Sequence, residues 1–177
     1  MNHNDSTDDD ARMWQQALRD LERQSLRDPS NAVDSDNNLS IETLQSYLYL
    51  PAYDRHHIDP ISGDEVLSYR QSGLSDRQAK KIFKYPFQAY RILDLHHLPG
   101  QQAYDSCQYA LVAAYLQRQR KVTIICGFGH HNQGRSLMKA IVVMILQRAS
   151  FVLAYQSADR RSGGTGAIDI YLKQSDR

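Results

Sequence analysis

The chain of 177 residues has room for one domain of ordinary size with an additional arm. Its 21 basic and 20 acidic side chains leave a formal net charge of +1, and 41% of its residues are apolar. No apolar run approaches the ~18–20 residues of a membrane-spanning helix, and the acidic N-terminus does not resemble a secretory signal, so we expect a cytoplasmic protein. Cys107 and Cys126 form no CxxC motif, which favours reduced thiols over a disulfide or a zinc site.

Charge is distributed unevenly along the chain. Residues 1–40 contain nine acidic residues and four arginines, a net charge of −5, so the rest of the chain carries +6. The composition of this segment predicts a partly disordered acidic arm. It is interrupted by an amphipathic helix from residue 10 to about 28, in which Trp14, Leu18 and Leu21 fall on one stripe. Packing on its own domain, self-association and binding of a protein partner are open alternatives for this helix.

Residues 41–86 are predicted to form a connector with a basic leader helix. Ser75 can cap a helix over residues 76–83. One face of that helix presents four cations at spacings of three and four, namely Arg77, Lys80, Lys81 and Lys84. Such a face can neutralise several phosphates, while a solvated helix face without a ligand is the alternative.

Residues 87–173 show the regular pattern of an α/β domain in the order β-α-β-α-β-β. The predicted elements are strand 92–95, helix 101–119, strand 122–126, helix 135–148, strand 151–155 and strand 166–172. Helices that separate consecutive strands imply parallel crossovers.

Two polar residues follow the first of these strands. The carboxyl ends of parallel strands open onto the same edge of a sheet, so residues 94–97 and 126–131 are predicted to face one crevice. Asp94 and His96 are two positions apart and therefore share one side of the strand. A carboxylate beside an imidazole fixes its tautomer and suits it to general acid/base chemistry. A structural hydrogen-bonded pair is the alternative.

Two glycine-rich loops could approach a phosphate. Gly127 and Gly129 free the backbone to present N–H groups at the start of the helix 135–148, where Arg135 and Lys139 add positive charge. A second loop spans residues 163–166. A tight β-α turn is the alternative for the first loop, and the second loop is equally well explained as plain turn chemistry.

Three short motifs, in matching order and spacing, resemble those of the small MutS-related (Smr) domain. The family's Leu-Asp-Leu-His-Gly corresponds to Leu93-Asp94-Leu95-His96 followed by His97, its His- or Thr-Gly-x-Gly to Cys126-Gly127-Phe128-Gly129, and its Gly-Gly-x-Gly-Ala to Gly163-Gly164-Thr165-Gly166-Ala167. The match covers residues 85–172. The preceding stretch, from about residue 66, resembles the leader of stand-alone bacterial Smr proteins of the YdaL type.

The resemblance implies a two-layer α/β sandwich with a mixed sheet, similar to the C-terminal domain of translation initiation factor three. It also implies nucleic-acid binding and endonuclease activity on DNA or structured RNA. Asp94 and His96 take the catalytic positions, and His131 stands where some eukaryotic members have a further histidine. The substrate-binding residues predicted from the resemblance and the charge pattern are Gly127, Phe128, Gly129, Arg135, Lys139, Lys80, Lys81, Lys84, Gly164 and Gly166.

One departure from the family pattern supports an alternative function. Cys126 replaces a histidine or threonine, and a cysteine at the end of a buried strand is more often inert than reactive. The alternative is a DNA-, RNA- or ribosome-binding module that has lost cleavage. No particular cofactor is predicted. The alternatives are a divalent ion such as Mg²⁺ and a metal held by Asp94 with the pairs His96-His97 and His130-His131. The residues do not distinguish a DNA substrate from an RNA substrate.

Overall fold

The computed structural model describes residues 46–48, 50–129 and 132–175. The acidic arm, its predicted helix and His131 lie outside these residues, so the expectations about them stay predictions. No helix in the described part of the chain is long and apolar enough to cross a membrane.

A five-stranded mixed sheet and two long helices form the body of the protein. In chain order the elements are β1 (Ile61–Ser62), β2 (Ser68–Arg70), α1 (Asp76–Ile82), β3 (Arg91–Asp94), α2 (Gly100–Leu116), β4 (Lys121–Ile125), β5 (Arg135–Ser136), α3 (Leu137–Arg148), β6 (Val152–Ser157) and β7 (Ala167–Leu172). The strand order in the sheet is β2-β6-β7-β4-β3, with β3 parallel to β4 and each other neighbouring pair antiparallel. The predicted α/β fold with a mixed sheet is confirmed.

The hydrophobic core lies between one face of this sheet and the helices α2 and α3. Alternation along β4 turns Val122 and Ile124 to that face, and both are fully buried. Ile168 and Ile170 do the same on β7, and Ile141 of α3 packs in the same cluster. Burial of each such side chain contributes about 1.5–3 kcal/mol and holds the helices on one face of the sheet. Loops and residues 83–90 lie on the other face.

The segment predicted as a connector contributes to the sheet. Strand β2 pairs with β6 at the sheet edge, and Leu67, just before it, is buried. The predicted leader helix is present as α1, and Ser75 and Gln78 form its capping box. An ion pair links the end of β2 to the start of α1, with Arg70 Nη1 2.7 Å from Asp76 Oδ1.

Two helix boundaries differ from those predicted by two or three residues. Helix α3 begins at Leu137 because Ser136 caps it, and β5 pairs with β1 in a second, two-stranded sheet. Helix α2 ends at Leu116, since Arg118 takes a φ of 59° and turns the chain away. Strands of two residues are too short for a periodic pattern, so the sequence could not reveal β1 and β5.

Candidate active site

Asp94 and His96 lie at the carboxyl end of β3. Their neighbours Leu93 and Leu95 are buried in the core, so alternation places Asp94 and His96 on the opposite face. Asp94 lies opposite Ile125 of β4, and the chain then enters the glycine loop. Residues 94–97 and 127–129 therefore lie side by side at the carboxyl ends of β3 and β4, and a Cβ on Gly127 would be 3.3 Å from that of His96.

The two side chains form a directed pair. His96 Nδ1 donates a hydrogen bond to Asp94 Oδ1, and the same oxygen accepts from the backbone N–H of His96 at 3.1 Å. The side chains are 39% and 43% exposed, so the pair is open to a ligand. The ring of His97 lies against that of His96, with centroids 3.5 Å apart. With Nδ1 held by the carboxylate, Nε2 is the nitrogen of His96 that can exchange a proton with a substrate.

The first glycine loop is shaped by close backbone approaches. Gly127 and Gly129 have φ values of 73° and 72°, a region that favours glycine. A Cβ on Gly129 would lie 2.3 Å from the carbonyl oxygen of Arg135. The N–H groups of Cys126 and Gly127 both donate to the carbonyl of Gly166, at 2.9 and 3.0 Å. The Gly127 amide, expected to face a phosphate, is therefore used inside the protein.

The two glycine loops touch and form one surface beside the Asp94–His96 pair. Phe128 is 40% exposed, and its ring packs against Gly166, where an added Cβ would lie 2.9 Å from it. Gly164 has a φ of 55° at the start of the short 3-10 turn Gly164–Gly166. The structure thus brings together the predicted residues of both loops.

Lys139, predicted to bind phosphate, has a different position. Its side chain is fully buried, and Nζ donates to the carbonyls of Ser62, Gly63 and Glu65 at 3.3, 3.0 and 2.6 Å. Burial lowers the pKa of this amine, opposed by the nearby Glu65 carboxylate. The ammonium group therefore holds residues 62–65 in place through these hydrogen bonds. A buried amine in this position is not available for the phosphate contact that the sequence had predicted.

Arg135 is exposed but also has a partner within the protein. Its Nε and Nη2 donate to the carbonyl of Pro60 at 3.0 and 2.5 Å, beside the β1–β5 pair. The guanidinium is thereby oriented, with donors remaining for a phosphate.

Cys126 lies on the core side of the sheet edge. Its side chain is buried, and this burial raises the pKa of the thiol to about 12. A thiol with that pKa stays protonated at neutral pH and is a poor nucleophile and proton donor. Cys126 therefore does not replace the proton-transfer capacity of a histidine at this position.

The basic surface includes two further cations that lie over aromatic rings. Lys80, Lys81 and Lys84 are exposed on and after α1, as predicted from their spacing. In addition, Arg161 lies 5.5 Å from the ring centroid of Tyr85, and a further cation, Lys121, lies over Phe87. These contacts join segments more than thirty residues apart, so no local pattern could have revealed them.

Within the described ranges, no group of three or more His, Cys, Asp or Glu side chains could hold a metal ion. His130 and His131 lie outside those ranges. The alternatives of a Mg²⁺ ion and of a histidine-rich metal site therefore stay predictions.

Comparison with known proteins identifies this part of the chain. Residues 93–173 match the family model of the Smr domain. The chain contains a Smr domain. The matched range starts at the Asp94–His96 motif and includes both glycine loops. All residues of the candidate active site described above therefore belong to the Smr domain, except those of α1, residues 60–65 and residues 84–87.

Relatives and a solved structure resemble the chain beyond the Smr domain. The ribosome rescue factor SmrB of Tolumonas auensis is 24% identical over 173 residues, which are 95% of each chain. SmrB of Escherichia coli O157:H7 is 26% identical over 64% of this chain and 59% of that protein. The crystal structure of YdaL, a stand-alone small MutS-related protein from Escherichia coli, matches 67% of this chain and 91% of its own, with a TM-score of 0.56 and 27% identity.

Proposed function

We propose that this protein is an endonuclease that cleaves RNA in association with ribosomes, with Asp94 and His96 as its proton-transfer pair. The observation that carries the proposal is the hydrogen bond from His96 Nδ1 to Asp94 on the exposed edge of a Smr domain. Similarity to proteins named ribosome rescue factors supports ribosomal RNA or messenger RNA as the substrate class. This proposal implies a cytoplasmic protein.

The chemistry needs a base and an oriented phosphodiester. His96 Nε2 would accept the proton of a ribose 2′-hydroxyl, and the resulting oxyanion would form a bond to phosphorus as the bond to the 5′-oxygen breaks. The leaving 5′-oxygen takes a proton from water and His96 releases its proton to solvent, so the products are a 2′,3′-cyclic phosphate and a 5′-hydroxyl. Asp94 would hold the ring in the tautomer with hydrogen on Nδ1 and stabilise the imidazolium that forms.

Substrate binding would use the exposed positive charge of α1, which begins beside β2 at the other edge of the sheet. Lys80, Lys81 and Lys84 are exposed and can neutralise phosphates of the flanking strand. The half-exposed ring of Phe128 offers a surface for a base beside the Asp94–His96 pair. These contacts position the phosphodiester and leave proton transfer to His96.

A cleavage assay on three substrates tests the proposal. The full chain is incubated with structured RNA, messenger RNA on ribosomes, and supercoiled plasmid. We expect RNA products that end in cyclic phosphate, and a loss of about 10²–10⁴-fold in rate for His96→Ala. Replacing the ribose at the cleaved position by deoxyribose should stop the reaction.

His56→Ala is the matched control, because His56 is an exposed histidine far from the Smr motifs in the chain. It should cleave like the wild type. Equal background cleavage by the wild type and His96→Ala contradicts the proposal. Cleavage of plasmid with retained sensitivity to His96→Ala would replace RNA by DNA as the substrate.

A second candidate function is a ribosome- or RNA-binding module without catalysis. The observation that favours it is the buried Cys126, whose thiol cannot perform proton transfer at the family's histidine or threonine position. This candidate predicts binding that weakens with salt, is unchanged in His96→Ala, and is accompanied by no cleavage. The same three substrates, measured for binding as well as cleavage, separate the two candidates.

A further inference from the structure

A pocket of about 210 Å³ lies on the face of the sheet that the helices leave open. It is bounded by residues 83–87 on one side and by the ends of β6 and β7 on the other. Its lining includes the aromatic side chains of Phe83, Tyr85 and Phe87 and the polar side chains of Gln156, Asp159 and Asp169. Within the described chain, no function derived above uses this pocket.

The aromatic side chains of the pocket are suited to a flat ligand that carries negatively charged phosphates. Phe83 and Phe87 stack on each other with centroids 5.6 Å apart. Lys121 lies 5.0 Å from the ring centroid of Phe87, and Arg161 lies over Tyr85. A planar group can therefore contact aromatic surface while two cations remain near the rim for its phosphates.

The polar side of the pocket contains an incompletely bonded carboxylate. Asp169 is 3% exposed, and Thr123 Oγ1 donates to its Oδ1 at 2.7 Å. Among the described residues, no hydrogen bond reaches Oδ2, and no fully buried side-chain oxygen lacks a partner. Oδ2 therefore opens into the pocket, where a ligand N–H would satisfy it.

The pocket and the candidate active site lie on the same face of the sheet, the pocket at the interior strands β6 and β7 and the site at the edge strand β3. Asp94 lies opposite Ile125, which lies opposite Ala167, and Asp169 is two residues further along β7. Two strand spacings and one two-residue step separate Asp94 from Asp169 by about 12 Å.

We propose that this pocket binds one unstacked nucleobase that carries an exocyclic amino group, from a strand whose backbone passes the Asp94–His96 pair. The base stacks on the aromatic wall, and its amino group donates to Asp169 Oδ2. A volume below the ~300 Å³ of sites for drug-sized ligands suits a single base. The inference rests on the proposed function for its ligand class, RNA, and is independent of cleavage.

Cytidine and uridine provide the sharpest test, because they differ in the amino or carbonyl group on one ring carbon. Fluorescence anisotropy measures binding of short single-stranded oligocytidylate and oligouridylate to the full chain carrying His96→Ala, which removes cleavage. We expect oligocytidylate to bind about tenfold more tightly. Asp169→Asn keeps an acceptor for Thr123 but points an amide N–H₂ into the pocket, so it should shift the preference towards uridine, whose carbonyl accepts.

Asp59→Asn is the charge-matched control, since Asp59 is exposed and lies outside the pocket. It should change both affinities by the same factor. Equal binding of the two oligonucleotides by the parent protein overturns the proposal without reliance on a pocket variant. An unchanged preference in Asp169→Asn, shown to be folded by thermal unfolding, also overturns it. Failure of the proposed function appears differently, as absent cleavage by the wild type with the base preference intact.

Discussion

Lys139 and Lys81 carry the same charge, and their spacing in the sequence predicted phosphate binding for both, yet they occupy opposite environments. Lys139 is fully buried and donates to three backbone carbonyls, whereas Lys81 is exposed on α1. A buried amine must be satisfied inside the protein, while an exposed one is available to a ligand. Substitution of Lys139 should therefore affect folding, and substitution of Lys81 should affect binding.

The ends of β3 and β4 show the same contrast. His96 stands half-exposed with an oriented ring, and Cys126 at the next strand end is buried. Strand alternation sends one side chain to the open face and the other to the core. Of these two neighbouring positions, His96 is therefore available for chemistry and Cys126 contributes to packing.

The largest expected effect concerns the buried thiols. Burial raises the pKa of Cys126 to about 12 and that of Cys107 well above its usual range. At pH 8 the native protein should react with a thiol reagent roughly 10³-fold more slowly than the variant Ser72→Cys, which adds an exposed thiol. The rates are measured with and without denaturant. If the native cysteines react as fast as the added one, Cys126 is not buried and its thiol is accessible.

The next effect is on stability. Lys139→Met keeps most of the apolar stem but leaves three carbonyls without their donor, which should reduce the free energy of unfolding by about 3 kcal/mol. Urea denaturation followed by circular dichroism measures the change. The matched variant Lys81→Met should leave it unaltered, because its amine is solvated. Similar losses in both variants would break the comparison.

A smaller effect is expected on RNA affinity. Replacing Lys80, Lys81 and Lys84 together by alanine removes three cations that can contact phosphates. The plot of log affinity against log salt concentration should become shallower, its slope falling in magnitude by about 2. The free energy of unfolding should not change. Lys173→Ala is the control, because it follows the far end of β7, away from the candidate active site. An unchanged salt slope in the triple variant would mean that α1 presents a solvated face only.

The smallest effect concerns Asp169 and pH. Burial raises the pKa of this carboxyl above its usual value, partly offset by the hydrogen bond from Thr123 and the nearby Lys121. The native state therefore binds this proton more tightly than the unfolded chain, so its contribution to stability is present at low pH. That contribution decreases as pH rises from the usual carboxyl value through the raised one.

Asp169→Asn should remove this dependence and make the protein more stable than the wild type at neutral pH. Thermal unfolding between pH 3 and 7, compared for the two proteins, measures the difference. Parallel stability curves over this range would show that Asp169 is ionised as easily in the native state as in the unfolded chain.

Much of the fold was predictable because its signals are local. Alternating or continuous apolar runs revealed the four long strands, and Ser75 marked the start of α1. The Asp94–His96 pair follows from a spacing of two at a strand end. The short strands β1, β2 and β5 were missed, since two or three residues form no period and their pairing depends on distant segments.

The burial of individual polar residues was less predictable. Asp169 lies between Ile168 and Ile170 on a strand with one face in the core, and the alternation alone would leave its carboxylate exposed. Residues 83–87 cover it, and nothing in the spacing of β7 indicates that cover. Arg161 and Lys121 likewise reach their aromatic partners across long stretches of chain.

The order of elements, the glycine loops and the Asp94–His96 spacing are therefore legible in the amino-acid order, because backbone preference and strand alternation act over a few residues. Which lysine binds carbonyls and which faces solvent is settled by packing. Lys139 meets Gly63 across 76 positions, and the pocket joins residues 83–87 to Asp169. Burial is a property of segments that meet in space, so only the folded chain separates the residues that hold it together from those open to a ligand.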